Sequence, residues 1–129
     1  MSQFSMRKTV RLSYDEALAK LPDLLKAEGF GVLTQIDVRE TLKQKLGLDF
    51  RRYRILGACN PRLAHQALSG ELSVGVMLPC NVVVWERDDG RTEVATVDPS
   101  ATMAAALPQL APIAAEVKER LGRVLAAVE

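Results

Sequence analysis

The stretch of sequence that decides the fold is YRILGACNP, residues 53–61, because it joins a strand signal directly to a helix start. It opens with a short apolar run, in which Ile55 and Leu56 are typical of a buried strand. Asn60 can then accept a hydrogen bond from a free backbone N–H, and Pro61 fits the first position of a helix. The stretch therefore predicts a strand that passes at once into a helix.

Before this stretch, the sequence alternates between strand and helix signals in the same way. Residues 4–12 alternate apolar and polar side chains, apart from Lys8, which indicates an edge strand or a strand end. The sequence Ser13-Tyr14-Asp15-Glu16 is typical of a capping box and predicts that a helix begins there. A second capping signal at Asp37 follows a short predicted strand at residues 31–36. The first half of the chain therefore predicts two strands, each followed by a helix.

After residue 61, the chain predicts one helix, a strand hairpin and a final helix. Residues 74–86 are apolar and β-branched, but Pro79 must interrupt this strand because proline lacks the N–H that a sheet requires. Asp88-Asp89-Gly90 is a hairpin turn, and residues 92–97 form the return strand. An apolar stripe then predicts an amphipathic helix at about residues 112–128.

The elements follow in the order β-α-β-α-β-α-β-β-α, which predicts an α+β fold. We expect a two-layer mixed β-sheet with helices packed largely on one face, because the closing hairpin fits such a sheet better than a purely parallel one. A chain of 129 residues has the length of one domain. We therefore expect residues 1–129 to form a single α+β domain.

The composition argues against several classes of protein. Apolar residues make up 48% and charged residues 26% of the chain, as in ordinary globular domains. No apolar run approaches the roughly 20 residues that cross a bilayer, and the first residues lack the apolar core of a signal peptide. A net charge of +1 offers no basic excess for nucleic acid. We therefore expect a cytoplasmic protein that binds neither membranes nor nucleic acid.

Two cysteines and one histidine are too few for a structural zinc site, which needs four ligands in close-spaced pairs. The cytoplasm keeps thiols reduced, so we expect two free thiols rather than a disulfide. Helical spacing places the histidine, His65, away from the apolar stripe of its helix, and we expect it on the surface. With one outward histidine, no Ser-His-Asp triad can be assigned.

The candidate site is a repeated pair of residues, since Cys59-Asn60 and Cys80-Asn81 each lie beside a proline. Cys59 lies at a strand end just before a helix start, where free N–H groups and the helix dipole favour a thiolate. Asn81 lies inside a valine-rich strand, where an amide must find a hydrogen-bond partner or face a pocket. The candidate ligand-binding residues are therefore Cys59, Asn60, Cys80 and Asn81.

Cys59 and Cys80 are also candidate ligands of a metal ion. Two thiolates can hold a thiophilic ion such as Cu(I), which tolerates few ligands, and the thioethers of Met77 and Met103 would suit the same kind of ion. A structural interpretation stands against this, because free cysteines and methionines often fill apolar cores. The sequence does not decide whether Cys59 and Cys80 are neighbours.

These motifs give the chain a family resemblance: it resembles a bacterial and archaeal family known as domain of unknown function 302. The resemblance rests on residues 29–32, 37–42, 53–61 and 78–82, and on Asp98-Pro99. It covers about residues 10–103, and the two Cys-Asn pairs make it specific. The resemblance implies a two-layer α+β fold and a homodimer, but it implies no activity and no catalytic residues.

Three functions are open at this point. The first is a dimeric binding module whose Cys/Asn-lined pocket holds a small molecule or a soft metal ion. The second is a structural or interaction protein whose cysteines belong to the core. The third is a thiol-dependent enzyme or redox protein that uses Cys59. The sequence names no cofactor and does not decide whether the chain is an enzyme.

Overall fold

The structure is a computed structural model that describes residues 4–129. Its strands are β1 (Ser5–Val10), β2 (Gly31–Asp37), β3 (Tyr53–Cys59), β4 (Cys80–Glu86) and β5 (Thr92–Val97). Its α-helices are α1 (Tyr14–Ala27), α2 (Val38–Leu46), α3 (Pro61–Gly70), α4 (Met103–Ala106) and α5 (Ala111–Ala127). The predicted order of strands and helices is confirmed, with the four-residue helix α4 in addition.

The five strands form one sheet in the order β1-β5-β4-β3-β2, and each of these neighbouring pairs is antiparallel. The α+β class is confirmed, but within residues 4–129 the sheet is antiparallel rather than mixed. A β-α-β order is typical of parallel pairs. Here α2 joins β2 to β3 at one end of the sheet, and α3 joins β3 to β4 at the other end. The chain therefore turns back after each of these helices. Only α1 crosses the sheet, from one edge strand to the other.

The main core lies between the sheet and the helices α1 and α5. Val82 and Val84 of β4 belong to one buried cluster with Leu21 of α1 and Leu121 of α5, and all four are 0% exposed. Burying each such side chain stabilises the fold by about 1.5–3 kcal/mol. A second, smaller cluster joins α3, α4 and α5 through five residues: Ala67, Val74, Met103, Leu110 and Ala114.

The predicted helix starts are confirmed in atomic detail. The Ser13 hydroxyl accepts a bond from the Glu16 N–H at 3.1 Å, and the Glu16 carboxylate accepts one from the Ser13 N–H at 2.9 Å. The Asn60 Oδ1 accepts a bond from the Leu63 N–H at 3.2 Å, which begins α3. These short-range contacts depend on residues three positions apart, and this is why the sequence alone could predict them.

The predicted strand at residues 74–86 is wrong in its first part. Residues Leu72–Met77 form 3₁₀ turns, and β4 begins at Cys80, directly after Pro79. Val74 is apolar because it fills the second core cluster, where it is 0% exposed, and not because it belongs to the sheet. An apolar, β-branched run can therefore form either a strand or a buried helical turn, and here Pro79 separates the two.

Lys8, which interrupts the apolar pattern of β1, has a structural role on an edge strand. Its ammonium donates hydrogen bonds to the carbonyl oxygens of Val128 at 2.5 Å and Leu125 at 3.2 Å, at the end of α5. The last carbonyls of a helix lack partners within the helix and carry a partial negative charge. Lys8 therefore attaches the C-terminal end of α5 to the sheet.

Replacing Lys8 by Met should lower the free energy of unfolding by about 1–2 kcal/mol, because the end of α5 would lose a charged donor. Urea unfolding followed by circular dichroism measures the change. The matched control is Lys45→Met, at an exposed lysine of α2, which should leave the unfolding midpoint in place. Equal midpoints for the two variants would contradict this role of Lys8.

Candidate functional site

The candidate site lies where the end of β3 meets the start of β4. Ala58 and Cys80 are directly paired across the two strands, and Cys59 is the last residue of β3. Asn60 follows as the cap of α3, so the N-terminal end of that helix lies beside both cysteines. The strand pairing and the helix start therefore bring the two cysteines to the same corner of the sheet.

A small cavity lies at this point, with a volume of about 20 Å³. Its lining is mostly apolar and includes Phe30, Cys59, Asn60, Leu63, Cys80 and Met103. A cavity needs about 10–15 Å³ to hold a water molecule. The space between the two cysteines therefore accommodates one group of the size of a water molecule or a single ion.

The structure brings three of the four predicted site residues together and leaves the fourth elsewhere. Cys59, Asn60 and Cys80 line the cavity. Asn81 is exposed and does not line it, because successive side chains of β4 point to opposite faces of the sheet. Its amide needs no pocket, since solvent reaches it. His65 is exposed, as expected from its helical position.

Met103 is a lining residue that the sequence did not single out for this cavity. Its thioether is 4% exposed and belongs to the second core cluster, on the four-residue helix α4. Met77, the other methionine considered as a soft ligand, does not line the cavity. No local signal could distinguish the two, because the choice depends on how α4 packs against α5 in the smaller core cluster.

Asn60 has a structural explanation as well as a place in the cavity wall. It is 8% exposed, and its Oδ1 is occupied by the cap of α3. Its Nδ2 packs against Gly29, where an added Cβ would lie only 2.9 Å away. Gly29 also has a positive φ of 86°, which favours glycine. Asn60 therefore packs the start of α3 against the turn at Gly29 that follows α1.

The two thiols are free and differ in their environment: Cys80 is buried and Cys59 is partly exposed. Burial, with a smaller contribution from the nearby Cys59, raises the pKa of the Cys80 thiol to about 11. Cys80 is therefore a neutral thiol near pH 7, and only a ligand that displaces the proton would convert it to a thiolate. The chemistry open to this pair is thiol chemistry or the binding of a thiophilic ion.

Two further findings concern clusters of metal-ligating side chains and membrane-spanning helices. Over residues 4–129, no group of three or more His, Cys, Asp or Glu side chains is placed to hold a metal ion. In the same range, no helix combines the length and the apolarity needed to cross a bilayer. Among the side chains that line the cavity, those of Cys59, Cys80 and Met103 carry sulfur.

Comparison with known proteins identifies the family. The family model described as domain of unknown function DUF302 matches residues 6–128. The chain belongs to the DUF302 family. The match extends beyond the range of about 10–103 expected from the sequence, and it includes the final helix α5. No curated protein matches the chain.

The DUF302 fold is also seen in a crystal structure of an uncharacterized conserved DUF302 protein from Bacillus stearothermophilus. That protein is 36% identical to this chain, and the similarity covers 99% of this chain and 100% of that one. The two structures superpose with a TM-score of 0.91. The family and its fold are therefore established for this chain, while its activity has to be argued from the cavity.

Raising the pH should destabilise the wild-type chain more than the Cys80→Ala variant. Unfolded, the Cys80 thiol loses its proton near the ordinary pKa of 9.0, whereas the folded chain retains it until about 11. The unfolded state binds fewer protons in this range, so the free energy of unfolding falls as the pH rises. From about pH 8 to about pH 10.5 the wild type should lose about 2 kcal/mol more than the variant.

Urea unfolding of both proteins under reducing conditions measures this difference. The lower overall stability expected for Cys80→Ala does not matter, because the comparison concerns the change with pH. Parallel pH profiles for the two proteins would show that the Cys80 thiol is not held in its neutral form by the fold.

Proposed function

We propose that this DUF302 protein is a homodimeric binding module for a soft metal ion, held by Cys59, Cys80 and Met103. The observation that supports the proposal is that three sulfur-containing side chains from β3, β4 and α4 line one small cavity. Thiolate and thioether ligands select Cu(I) over the harder divalent ions. A cytoplasmic location, as predicted from the sequence, would keep both thiols reduced.

The size of the cavity favours an ion over a small organic molecule. Pockets for drug-sized ligands have volumes of about 300–1,000 Å³, whereas this cavity has about 20 Å³. An organic ligand would therefore require the wall around Cys59 and Cys80 to open, while an ion would not. The apolar lining also limits competition from water for the metal.

The protonation of Cys80 gives metal binding a definite pH dependence. Because burial holds the pKa of this thiol at about 11, a metal must displace its proton on binding near pH 7. Metal affinity at a thiolate site therefore rises with pH, and each binding event releases protons. The buried sulfur of Cys80 serves as an inner ligand, and the partly exposed Cys59 offers the route of entry.

The wild-type chain should take up one equivalent of Cu(I) in competition with a chromogenic Cu(I) chelator under reducing, anaerobic conditions. Cys59→Ser and Cys80→Ser should each abolish the uptake, because one remaining thiolate leaves too few sulfur ligands. Met103→Leu should weaken binding by about tenfold, since it removes one thioether at nearly constant volume.

The matched control for this experiment is Met77→Leu, which makes the same change at a thioether outside the cavity. It should bind Cu(I) as the wild type does. Unchanged uptake by the double variant Cys59→Ser/Cys80→Ser would contradict the proposal. Equal losses in Met103→Leu and Met77→Leu would remove Met103 from the site.

A thiol-based redox or catalytic function is the second candidate. It is favoured by the partial exposure of Cys59, which leaves this thiol accessible to a reagent or substrate, and by its position at the strand end just before α3. This function would make Cys59 react with iodoacetamide in the folded chain faster than an ordinary thiol at neutral pH. A Cys59 that reacts only after unfolding would count against it. If Cys59→Ala and Cys80→Ala lowered the stability of the fold and changed nothing else, the two cysteines would be core residues.

We propose that the homodimer forms through the face of the sheet that α1 and α5 leave uncovered. We call this the outer face. Its centre consists of alternate residues of β3, β4 and β5: Tyr53, Ile55, Val83, Trp85 and Ala95. None of these apolar side chains belongs to either core cluster. The rings of Tyr53 and Trp85 stack with their centroids 5.6 Å apart, which gives this face a rigid aromatic part.

The charges on the outer face are paired within the chain. Burial opposes the ionisation of Glu93, but hydrogen bonds from Thr9 at 2.6 Å, Arg7 at 3.1 Å and Arg87 at 3.2 Å hold the pKa of its carboxyl below the usual value. A second copy packed on this face would therefore meet an apolar centre and a carboxylate that already has its partners.

The area of the outer face is enough for a dimer. Five strands of about six residues span about 24 Å by 20 Å, which gives about 1,000 Å² when two copies are counted. Specific interfaces begin at about this total area. The two copies would meet through the same surface, as the twofold symmetry of most homodimers requires.

Val83→Lys should convert the dimer to a monomer, because it places a charge at the centre of the outer face. Light scattering coupled to size-exclusion chromatography should give a mass near twice 14.1 kDa for the wild type and near 14.1 kDa for the variant. The matched control is Val76→Lys, at a valine that is 89% exposed and outside the sheet. A monomeric wild type would contradict the proposal, as would a dimer that survives Val83→Lys.

A further inference from the structure

A polar cleft lies at the opposite end of β3 from the mostly apolar cysteine cavity, about 16 Å away along the strand. Its volume is about 140 Å³. It is formed by the first residues of α1, the start of α2 and the start of β3, and its six lining residues are Tyr14, Asp15, Asp37, Arg39, Arg52 and Arg54. Three arginines and two aspartates therefore line one cleft.

Two of the three arginines of this cleft are already ion-paired. Arg52 is paired with Asp15 and, at 3.9 Å, with Glu86, and Arg54 is paired with Asp37 at 3.1 Å. Arg39 has no ion-pair partner among residues 4–129. Arg39, an exposed residue of α2, is therefore the arginine of this cleft whose guanidinium is not engaged by a carboxylate in that range.

One buried donor of the cleft also lacks an acceptor. The Nε of Arg54 is buried and has no hydrogen-bond partner, a situation shared within residues 4–129 only by the Thr96 hydroxyl. Its two terminal nitrogens donate to Asp37 and to Gln35 at 3.3 Å. Leaving a buried charged donor without an acceptor lowers stability, because the donor has lost its hydrogen bonds to water. An acceptor oxygen beside Arg54 would remove that cost.

Two of the three guanidinium groups, those of Arg52 and Arg54, are held in place before any ligand arrives. Arg52 lies over the ring of Tyr14, with its Cζ 4.4 Å from the ring centroid, and Tyr14 is 5% exposed. The side chain of Arg54 is held by Asp37 of the neighbouring strand β2, since the two residues are paired across β2 and β3 and form an ion pair. Fixed donors lose little freedom on binding, which favours recognition of a small ligand.

We propose that this arginine cleft binds a small oxyanion, a phosphate or a carboxylate group, through Arg39, Arg52 and Arg54. Arginine donors form a planar fork that matches the oxygens of both groups. The volume is about half that of the smallest pockets for drug-sized molecules, which fits inorganic phosphate, a phosphate ester end or a short carboxylate. This site is independent of the cysteine cavity and of the proposed metal function.

Thermal unfolding of the full chain tests the site, with inorganic phosphate and acetate as separate probes at constant ionic strength set by chloride. A ligand that binds only the folded state raises Tm in a saturable way. We expect saturation with at least one probe, and a dissociation constant about tenfold larger in Arg39→Gln. A response to phosphate alone identifies a phosphoryl ligand, and a stronger response to acetate identifies a carboxylate.

Two further variants make the test specific. Arg11→Gln makes the same charge change at an exposed arginine outside the cleft and should bind as the wild type does. Arg54→Lys keeps the charge but removes the guanidinium fork, and it should weaken binding as Arg39→Gln does. Because Arg39 is exposed, its variant keeps the fold and decides the test if Arg54→Lys is unstable. Equal binding by Arg39→Gln and the wild type, or no saturable response to either probe, would overturn the proposal.

Discussion

The pairing of β3 with β4, in which Ala58 lies opposite Cys80, is the constraint on which the candidate site depends. It brings the end of β3 and its last residue, Cys59, next to a cysteine that is distant in the sequence. Because β3 passes directly into the cap of α3, the same pairing places the N-terminus of a helix beside the sulfurs. A register shift of one residue would turn Cys80 to the outer face and Asn81 to the inner face, and the cavity would lose one of its sulfur atoms.

The position of the cavity follows from the way in which two cores meet. Cys80 belongs to the main cluster under α1 and α5, and Met103 belongs to the smaller cluster of α3 and α4. Leu78 and Ile113 pack against both clusters, so the boundary between them is continuous and apolar. A gap at such a boundary stays small, because protein interiors are close-packed. An ion bound there would join the two cores, so we expect metal binding and stability to be coupled in this protein.

The local parts of this structure could be predicted from the sequence, and the long-range parts could not. The caps at Ser13 and Asn60 involve contacts over three residues, and the sequence carries their full signal. The direction of the strands was missed because it depends on where each helical connection returns to the sheet. Likewise, the Cys-Asn repeat drew attention to Cys59 and Cys80, but it could show neither that both line one cavity nor that Asn81 faces solvent. Met103 and the cleft around Arg54 arise from tertiary packing and have no sequence motif.

The central claim is that the sulfur atoms of Cys59, Cys80 and Met103 surround one site for a soft ion. X-ray absorption at the copper edge, on the full chain loaded with one equivalent of Cu(I), tests it most directly because it reports which atoms touch the metal. The account predicts a first shell of sulfur atoms alone, since the apolar cavity offers few other ligands. A first shell of nitrogen or oxygen atoms would place the metal elsewhere and contradict the account.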